Sequence, residues 1–221
     1  MKLIKPSYKI LTKINGNNIL KAIERSGRVC YKSENKITAD SAKKFVANLI
    51  KNQHLSVLEH QGFTVKFIID RGIGYELVRH RLCSFSQESS RYCTYQTGCT
   101  FIIPPWHDIK PGTYIDTSYV IDNIKDFKSS KWAFMVLSSE INYLTLLNDG
   151  EQPQQARSVL PNSLKTEIDV TANLREWRHI FTLRCSKAAH PQMREIMIPL
   201  LTELKKKIPI VFDDIHGDSV N

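Results

Sequence analysis

The segment from Arg79 to Tyr92 holds three arginines, one histidine and four serines, so its side chains are suited to binding chemistry. Arginine forms planar, bidentate hydrogen bonds to phosphate or carboxylate, and serine hydroxyls fill the remaining acceptor positions. An apolar run precedes the segment, and an aromatic run of β-forming residues follows it. The segment therefore predicts a site for an anionic ligand with many oxygens. Charge alone leaves phosphate, carboxylate and nucleic acid open.

Three other segments have a similar character. His54 to His60 contains two histidines and a glutamate, and Arg157 lies in a short predicted helix that starts at Pro153. In a third segment, Asn173 to Arg184, the residues Arg175, Arg178 and His179 share part of one helical face, with Arg184 a further turn along. Taken alone, such a helix is more often a solvated basic face than a binding site.

Composition limits the class of protein. The chain has 221 residues, of which 42% are hydrophobic and 24% charged, as in ordinary globular proteins. No apolar run approaches the ~20 residues of a membrane span, and the N-terminus has no apolar segment of the secretory kind. The five cysteines are an odd number, which favours reduced thiols and a cytoplasmic location.

Charge and cysteine spacing bear on the ligand. The net charge of +9 fits a nucleic acid or small anionic substrates such as nucleotides and folates, although general solubility would also explain it. No CxxC pair is present and the cysteine spacing fits no zinc motif, so we expect no metal site. Neither GxGxxG after a strand nor GxxxxGK[ST] occurs, so both common nucleotide-binding loops are absent from the sequence.

The periodicity of apolar residues predicts an α+β fold, a single domain over 1–221 with a mostly antiparallel sheet flanked by helices. The tail, 215–221, is expected to be frayed. Strands are predicted within Ile4–Ile14, Gly62–Ile69, Tyr92–Ile103 and Thr166–Thr171. Helices are predicted over Ile19–Gly27, Ala42–Ile50, a short stretch after Asp70, Ser118–Leu147 with a break at Lys128–Ser130, Gln154–Leu160, Leu174–Arg184 and His190–Lys207, the last bent by Pro199.

Arg79-His80-Arg81, then seven residues, then Ser89, matches the RHR-x7-S signature, so the chain resembles the flavin-dependent thymidylate synthases. The match extends to Ser84, Arg91 and Tyr92. Three further segments stand in matching order and resemble the H-x4-E-H, A-R-x-x-L-P and N-x-R…LR segments of that family: 54–60, 156–161 and 173–184. The resemblance covers roughly Thr38 to Ile208.

The resemblance implies the reaction. dUMP would be methylated to dTMP, with methylene-tetrahydrofolate as carbon donor and with FAD, reduced by NADPH, as hydride carrier. It also implies a homotetramer with its sites between subunits. Small molecules are then the partners, and neither nucleic acid nor a membrane is expected.

Site residues follow from the resemblance position by position. Arg184 matches the residue that acts on the uracil ring, where a guanidinium would stabilise negative charge. Flavin contacts are expected from Ser56, Arg79, His80, Arg81, Gln87, Asn173, Arg175 and His179, with His54 near the flavin. The dUMP site is expected to comprise Glu76, Arg79, Gln87, Glu88, Ser89, Ser90, Arg91, Arg157 and Arg184.

Ser89 is expected to be a dUMP ligand rather than a nucleophile, because activation of its hydroxyl would need an adjacent base. Cys83 is expected to be a packing residue. At Glu76, Ser86 and Gln87 the chain departs from some relatives, which have Gln, Asn and Glu at these positions.

Three alternatives remain at this stage. The basic surface could bind nucleic acid, the protein could be a flavoprotein that acts on another uracil such as one in RNA, or it could be an inactive homologue. Nucleic-acid binding predicts aromatic residues interleaved with the basic ones, and Trp177 is the only aromatic well placed for that. The intact Arg79, Ser89, Arg91, Arg157 and Arg184 argue against an inactive homologue.

Overall fold

The computed structural model describes residues 1–217, which divide into two compact units. The first unit comprises Met1–Ser7, Phe67–Arg79 and Ser86–Ile168, and the second comprises Tyr8–Lys66, His80–Phe85 and the chain from Asp169 onward. The strands in these residues are β1 (Lys2–Ile4), β2 (Ser7–Ile10), β3 (Gly62–Asp70), β4 (Ser84–Gln87), β5 (Thr100–Ile102), β6 (Gly112–Thr113) and β7 (Lys165–Asn173). The helices are α1 (Gly16–Val29), α2 (Ser41–Lys51), α3 (Arg71–Leu77), α4 (Thr117–Asn123), α5 (Phe127–Asn148), α6 (Pro153–Ala156), α7 (Leu174–Arg184) and α8 (Pro191–Lys207).

The first unit contains a three-stranded sheet in the order β5-β1-β6. Strand β1 runs parallel to β5, with Leu3 opposite Phe101, and antiparallel to β6. α5 packs its buried side chains, among them Val136 and Tyr143, into the same core as Leu3. The buried N-terminal ammonium pairs with Glu140 of α5 at 2.7 Å, so a buried charge is neutralised within this core.

The second unit is built around α7 and the parts of β3 and β7 that belong to it, residues 62–66 and 169–173. Gln61 accepts a backbone hydrogen bond from Leu174, and the Thr64 and Thr171 hydroxyls lie 2.8 Å apart, so the two strands are antiparallel. Trp177 of α7 is fully buried and stacks on Phe63 with ring centroids 4.8 Å apart. Because the indole N–H also donates to the Phe63 carbonyl, the polar atom of this large core residue is satisfied.

The mixed helix and strand fold is confirmed, with differences in detail. The strands form more than one sheet, and β1 and β5 are parallel, which the prediction of one mostly antiparallel sheet did not include. The helical break falls between α4 and α5, at 124–126, because the Asp126 carboxylate accepts from the Ser129 amide and caps α5. The prediction of a break at 128–130 is wrong.

Two predicted strands are shorter than expected. Of Tyr92–Ile103 only β5 is a strand, because the chain first turns, with the Tyr92 and Cys93 amides bonded to the Ser89 carbonyl. The early strand is replaced by β1 and β2, separated at Pro6, which has no amide hydrogen to donate. β4, inside the signature segment, was not predicted.

The chain end also differs in part from the expectation. Ile215, expected in a frayed tail, is buried, and its amide donates to the Phe212 carbonyl. Residues 218–221 lie outside the described chain. α8 continues through Pro199, and among the helices of residues 1–217 none combines the length and apolarity needed to cross a bilayer. The single-domain interpretation stays a prediction.

Candidate active site

Helix α7 presents the polar side chains of the second unit. It begins after Asn173, whose side-chain oxygen accepts from the Glu176 amide at 2.9 Å and so caps the helix. Its buried residues, among them Leu174 and Phe181, face the core. Arg175 and His179, one turn apart on another face, stay accessible, as the predicted apolar period requires.

A cavity of about 660 Å³ lies against α7 within the second unit. Its walls include three residues of the expected flavin set, Asn173, Arg175 and His179. The other lining residues combine apolar and polar side chains: Gln53, Leu55, Glu59, Leu82, Glu176, Arg178 and Thr182. Only Leu55 and Leu82 of these lining residues are apolar, so the cavity is suited to a ligand that carries many polar groups.

A second cavity of about 370 Å³ in the same unit shares Gln53, Leu55 and Arg175 with the first as lining residues. His54 and Ser56 line it, so two more residues of the expected flavin set face accessible space. Arg175 is held by Glu59, with 2.6 Å between the guanidinium nitrogen and the carboxylate oxygen. The structure thus brings five residues expected at the flavin onto the walls of cavities that share lining residues.

His80 is buried, with neighbours at both ring nitrogens. The Arg184 Nε donates to His80 Nε2 at 3.0 Å, and Glu176 Oε1 lies 3.5 Å from Nδ1. Burial, with the charges of Arg184 and His179, lowers the pKa of His80 from 6.5 to about 4. The ring is therefore neutral near pH 7, and it accepts from Arg184 while its proton is on Nδ1, toward Glu176. In this arrangement His80 orients Arg184.

We expect this neutral histidine to make stability depend on pH. Between pH 6.5 and about 4 the unfolded chain binds a proton at His80 and the folded chain does not, so stability falls as pH falls through this window. The lowering of the His80 pKa corresponds to a change of at most about 3 kcal/mol in the free energy of unfolding. Urea unfolding at pH 5 and pH 7 should show a smaller loss at pH 5 in His80→Gln than in the unmodified protein.

One further titrating group, Glu176, must be considered in that measurement. Burial raises the pKa of Glu176, which stabilises the folded protein at low pH and so acts in the opposite sense to His80. Glu176 is present in both His80→Gln and the unmodified protein. The difference between their losses of stability from pH 7 to pH 5 therefore reports on His80. His60→Gln, a change at an exposed histidine, is the matched control. An identical pH slope in His80→Gln and the unmodified protein would contradict the assigned neutral state.

His80, Glu176 and His179 also have the side-chain types of a metal site, with ligand atoms within 4.8 Å of one another. However, His80 Nε2 already accepts from Arg184, whose fixed positive charge opposes a cation at this point. The cluster is therefore better suited to orienting Arg184 than to holding a metal.

Arg178, on the same helix, has a different environment. It is buried, and its two terminal nitrogens lie 2.6 and 2.7 Å from the two Asp214 carboxylate oxygens. It also donates to the Val211 carbonyl. The interaction lowers the pKa of Asp214. Arg178 thus fixes the C-terminal segment on α7, and the predicted basic face is in this part an internal ion pair.

The first unit has its own cationic cavity, of about 420 Å³. Arg71, Tyr75, Ser90 and Arg157 are among the residues that line it, and none of the described lining residues is acidic. Arg157 Nη1 donates to the buried Ser90 hydroxyl at 3.0 Å. Two guanidiniums and a hydroxyl, with no acidic residue in the described lining, are suited to binding phosphate or carboxylate.

The signature segment does not place all its expected dUMP contacts in this cavity. The Glu88 carboxylate accepts from the Tyr95 hydroxyl at 3.1 Å and pairs with Lys165 at 2.9 Å. Gln87 Nε2 donates to the Thr166 hydroxyl at 3.2 Å, and the Ser89 hydroxyl oxygen accepts from the Arg91 amide. Within the described chain, these contacts hold the segment in place.

The remaining expected residues are accessible. The side chains of Arg79, Arg81 and Arg91 are exposed, and the Arg91 guanidinium lies over the Tyr92 ring, 5.4 Å from its centroid. Glu76 is half-buried. None of these four lines the cavities described above, so their expected roles stay predictions.

Sequence reasoning missed Arg71 and Lys165. Arg71 donates to the Glu88 carbonyl at 3.3 Å and lines the cationic cavity, so it belongs with Arg157. Its position directly after a predicted buried strand was the available signal, because strand ends often carry site residues. Cys83 fits the expected packing role, since burial raises the pKa of its thiol to about 12 and keeps it protonated.

Comparison with known proteins supports the family resemblance of the sequence. The family model described as "Thymidylate synthase complementing protein" matches residues 11–210. The flavin-dependent thymidylate synthase of Geobacter sulfurreducens is 34% identical over 200 residues, covering 87% of this chain and 80% of the relative. The enzyme of that name from Mycobacterium tuberculosis strain H37Rv is 30% identical over 201 residues, covering 88% and 78%.

Two solved structures show the same fold. Thymidylate synthase X from Helicobacter pylori, with FAD and dUMP, aligns with a TM-score of 0.73 at 21% identity and covers 95% of this chain and 98% of that one. The UMP/dUMP methylase PolB from Streptomyces cacaoi, bound with 5-Br dUMP, aligns with a TM-score of 0.76 at 21% identity and covers 96% of both chains. With the family match and the two relatives, the chain belongs to the flavin-dependent thymidylate synthase family.

Proposed function

We propose that this enzyme methylates dUMP to dTMP, with methylene-tetrahydrofolate as the carbon donor and FAD, reduced by NADPH, as the hydride carrier. The main support is that residues matched to the two ligands line separate cavities. Asn173, Arg175 and His179 line one cavity, and Ser90 and Arg157 line another. The family match and the names of the relatives supply the reaction.

The residues of the second unit fit FAD. Arg175 and His179 offer cationic and polar groups to phosphate, Asn173 keeps its amide donors, and Leu55 and Leu82 offer apolar surface to a ring. FAD, when bound, supplies the hydride. Ser56 and His54 would extend the site from the adjoining cavity. Arg79, His80, Arg81 and Gln87 stay in the proposed flavin set, and His80 also orients Arg184.

The cationic cavity of the first unit fits the dUMP phosphate. Arg157 and Arg71 provide charge-assisted hydrogen bonds, and the Ser90 hydroxyl is already oriented by Arg157. Glu76, Arg79, Ser89 and Arg91 are proposed to complete the dUMP site, with Gln87 and Glu88 as its support.

We expect Arg157→Ala to weaken dUMP binding selectively. The loss of a hydrogen bond to a charged group costs about 1.5–3 kcal/mol, which is roughly 10- to 100-fold in affinity. Deoxyuridine, which lacks the phosphate, should bind the variant and the unmodified enzyme equally. Titration with both compounds measures the effect, with Arg25→Ala, a change at an exposed arginine of α1, as the control. Equal losses for both compounds would refute a phosphate role.

Arg184 is proposed to contact the uracil ring of dUMP. Its guanidinium remains charged at any working pH, and its Nε is fixed by the neutral His80. A fixed positive charge beside N3 and its neighbouring carbonyl would stabilise negative charge on the ring without reorganisation. Glu176, beside the other His80 nitrogen, holds that ring in turn.

Assembly and location are also part of the proposal. We infer a homotetramer with sites between subunits, as the family resemblance implies, and a cytoplasmic enzyme. The five cysteines are all free thiols in the structure, which suits a reducing compartment.

The decisive experiment measures the flavin absorbance of the purified protein and the formation of dTMP. The purified protein should bind FAD with its yellow absorbance, lose the colour with NADPH under anaerobic conditions, and form dTMP from dUMP and methylene-tetrahydrofolate. UMP should be tested beside dUMP, because a solved neighbour is a UMP/dUMP methylase. If the flavin colour is lost and a methylated product forms from UMP or RNA but not from dUMP, the enzyme acts on that other substrate and not on dUMP. No FAD uptake would reject the proposal.

A further inference from the structure

The two cavities of the second unit have one cation in common. Gln53, Leu55 and Arg175 line both cavities, and of these three only Arg175 is charged. The larger cavity has a second arginine in its wall, Arg178, but both terminal nitrogens of that guanidinium are held by Asp214. Arg175 is therefore the arginine of the described walls that can bind an anion.

Glu59 holds the Arg175 side chain by a single nitrogen. The Arg175 Nη1 donates to Glu59 Oε1 at 2.6 Å, and within residues 1–217 this is the one polar contact of the guanidinium. A guanidinium has five N–H donors in a fixed plane. The donors on Nε and Nη2 consequently remain available, and together they form an edge that can bind a phosphate group through two hydrogen bonds.

The backbone around Glu59 is fixed by the core of the second unit. Glu59 belongs to a 3₁₀ helix, Leu55–His60, in which Val57 and Leu58 are buried. The side chains of Arg175 and Glu59 are 53% and 44% exposed, so they meet in accessible space. An exposed arginine normally samples many rotamers, and ordering such a side chain on binding costs affinity. The contact with Glu59 removes part of this cost before a ligand arrives.

The N-terminus of α7 adds to the positive potential at this point. Arg175 is the second residue of α7, and the first turn of a helix carries the positive end of its dipole. A guanidinium in this turn is repelled by the dipole and is stabilised by a nearby anion. Glu59 supplies one carboxylate, and phosphate is a group that helix N-termini and arginines both bind well.

We propose that Glu59 is a positioning residue, which holds Arg175 so that its Nε and Nη2 face the diphosphate of FAD. The inference rests on the proposed function. FAD has two ring systems joined by a diphosphate, so a molecule that extends through both cavities has its diphosphate beside the residues that the cavities share. The negative charge of Glu59 opposes a phosphate, but water screens this repulsion because both side chains are about half exposed.

The test is titration of the flavin-free protein with FAD and with riboflavin, which has the flavin ring but no phosphate. We expect Glu59→Ala to weaken FAD binding roughly 2- to 10-fold, the cost of ordering one flexible side chain, and to leave riboflavin binding unchanged. Glu59→Gln should bind FAD at least as tightly as the native protein, because its amide oxygen still accepts from Nη1. Glu34→Ala, at an exposed glutamate of the same unit, is the control.

A double-mutant cycle shows whether Glu59 acts through Arg175. In the Arg175→Ala variant, the further change Glu59→Ala should have no effect on FAD affinity, because the group that Glu59 positions is gone. A purely structural role of Glu59 would give the same loss with and without Arg175, and it would also weaken riboflavin binding. Additive losses, or a Glu59→Ala variant that binds FAD like the native protein, would overturn the inference.

Failure of this inference can be told apart from failure of the proposed function. A native protein that takes up no FAD would reject both. A protein whose variants bind FAD and riboflavin as expected, but which forms no dTMP, would support the positioning role of Glu59 and reject the proposed reaction. A native protein that forms dTMP, together with a Glu59→Ala variant of unchanged FAD affinity, would reject the positioning role alone.

Discussion

Replacement of Arg184 by alanine should lower kcat/KM for dTMP formation about 10²- to 10³-fold, the range observed when one fixed electrostatic donor is removed from an active site. FAD binding should persist, because Arg184 is not among the described residues that line the two cavities of the second unit. The initial rate of dTMP formation and the flavin absorbance of the same sample measure the two effects separately.

Arg184→Lys tests whether geometry or charge is responsible. Lysine keeps the charge but not the planar group or the Nε donor that His80 accepts, so we expect little recovery. Arg25→Ala, at an exposed arginine on α1, should have near-normal activity. Near-normal turnover in Arg184→Ala would refute its role at the uracil ring, and a loss of flavin together with activity would make it a cofactor ligand.

The second large effect concerns stability. Asp214→Ala should lower the free energy of unfolding by about 2 kcal/mol, because the buried Arg178 guanidinium loses two charge-assisted hydrogen bonds, while the exposed Asp214 carboxylate is partly screened by water and Arg178 keeps the Val211 carbonyl. For a chain of this size that corresponds to a fall in Tm of about 4–8 °C. Thermal unfolding at matched protein concentrations checks this, since assembly also affects Tm.

Two further variants serve as controls for the Asp214→Ala measurement. Asp122→Ala removes an exposed carboxylate of α4 and should change Tm little. Replacement of both partners, Arg178→Met with Asp214→Ala, should recover part of the loss, because no buried charge is then left unpaired. A Tm of Asp214→Ala equal to that of the native enzyme would show that the pair does not stabilise the C-terminal segment.

Individual helices and strands could be predicted from the sequence. The period of apolar residues predicted α7, and the helix is present; its Asn173 cap was not predicted. Alternation predicted β3 and β7, because one face of each strand is buried. Arg175 and His179 were expected on one accessible face from their spacing alone, and both line the same cavity.

Contacts between residues distant in the chain could not be predicted from the sequence. The parallel pairing of β1 with β5 joins residues about a hundred positions apart, and nothing in either strand's own pattern specifies its partner. For the same reason the pairing of Glu88 with Lys165 and the grouping of Arg71 with Arg157 were not foreseen. An arginine on a surface and one in a cavity look alike in sequence, because burial depends on neighbours.

The sequence by itself determined the family, the mixed helix and strand fold and the set of candidate residues, because these depend on residue types at fixed spacing. Only the tertiary structure separated the functions of chemically similar residues. Arg178 is paired internally with Asp214, Arg157 orients Ser90, and Arg184 is fixed by a buried His80. The physical reason is that the environment of each guanidinium, its burial and the partner it meets, is set by residues distant in the chain.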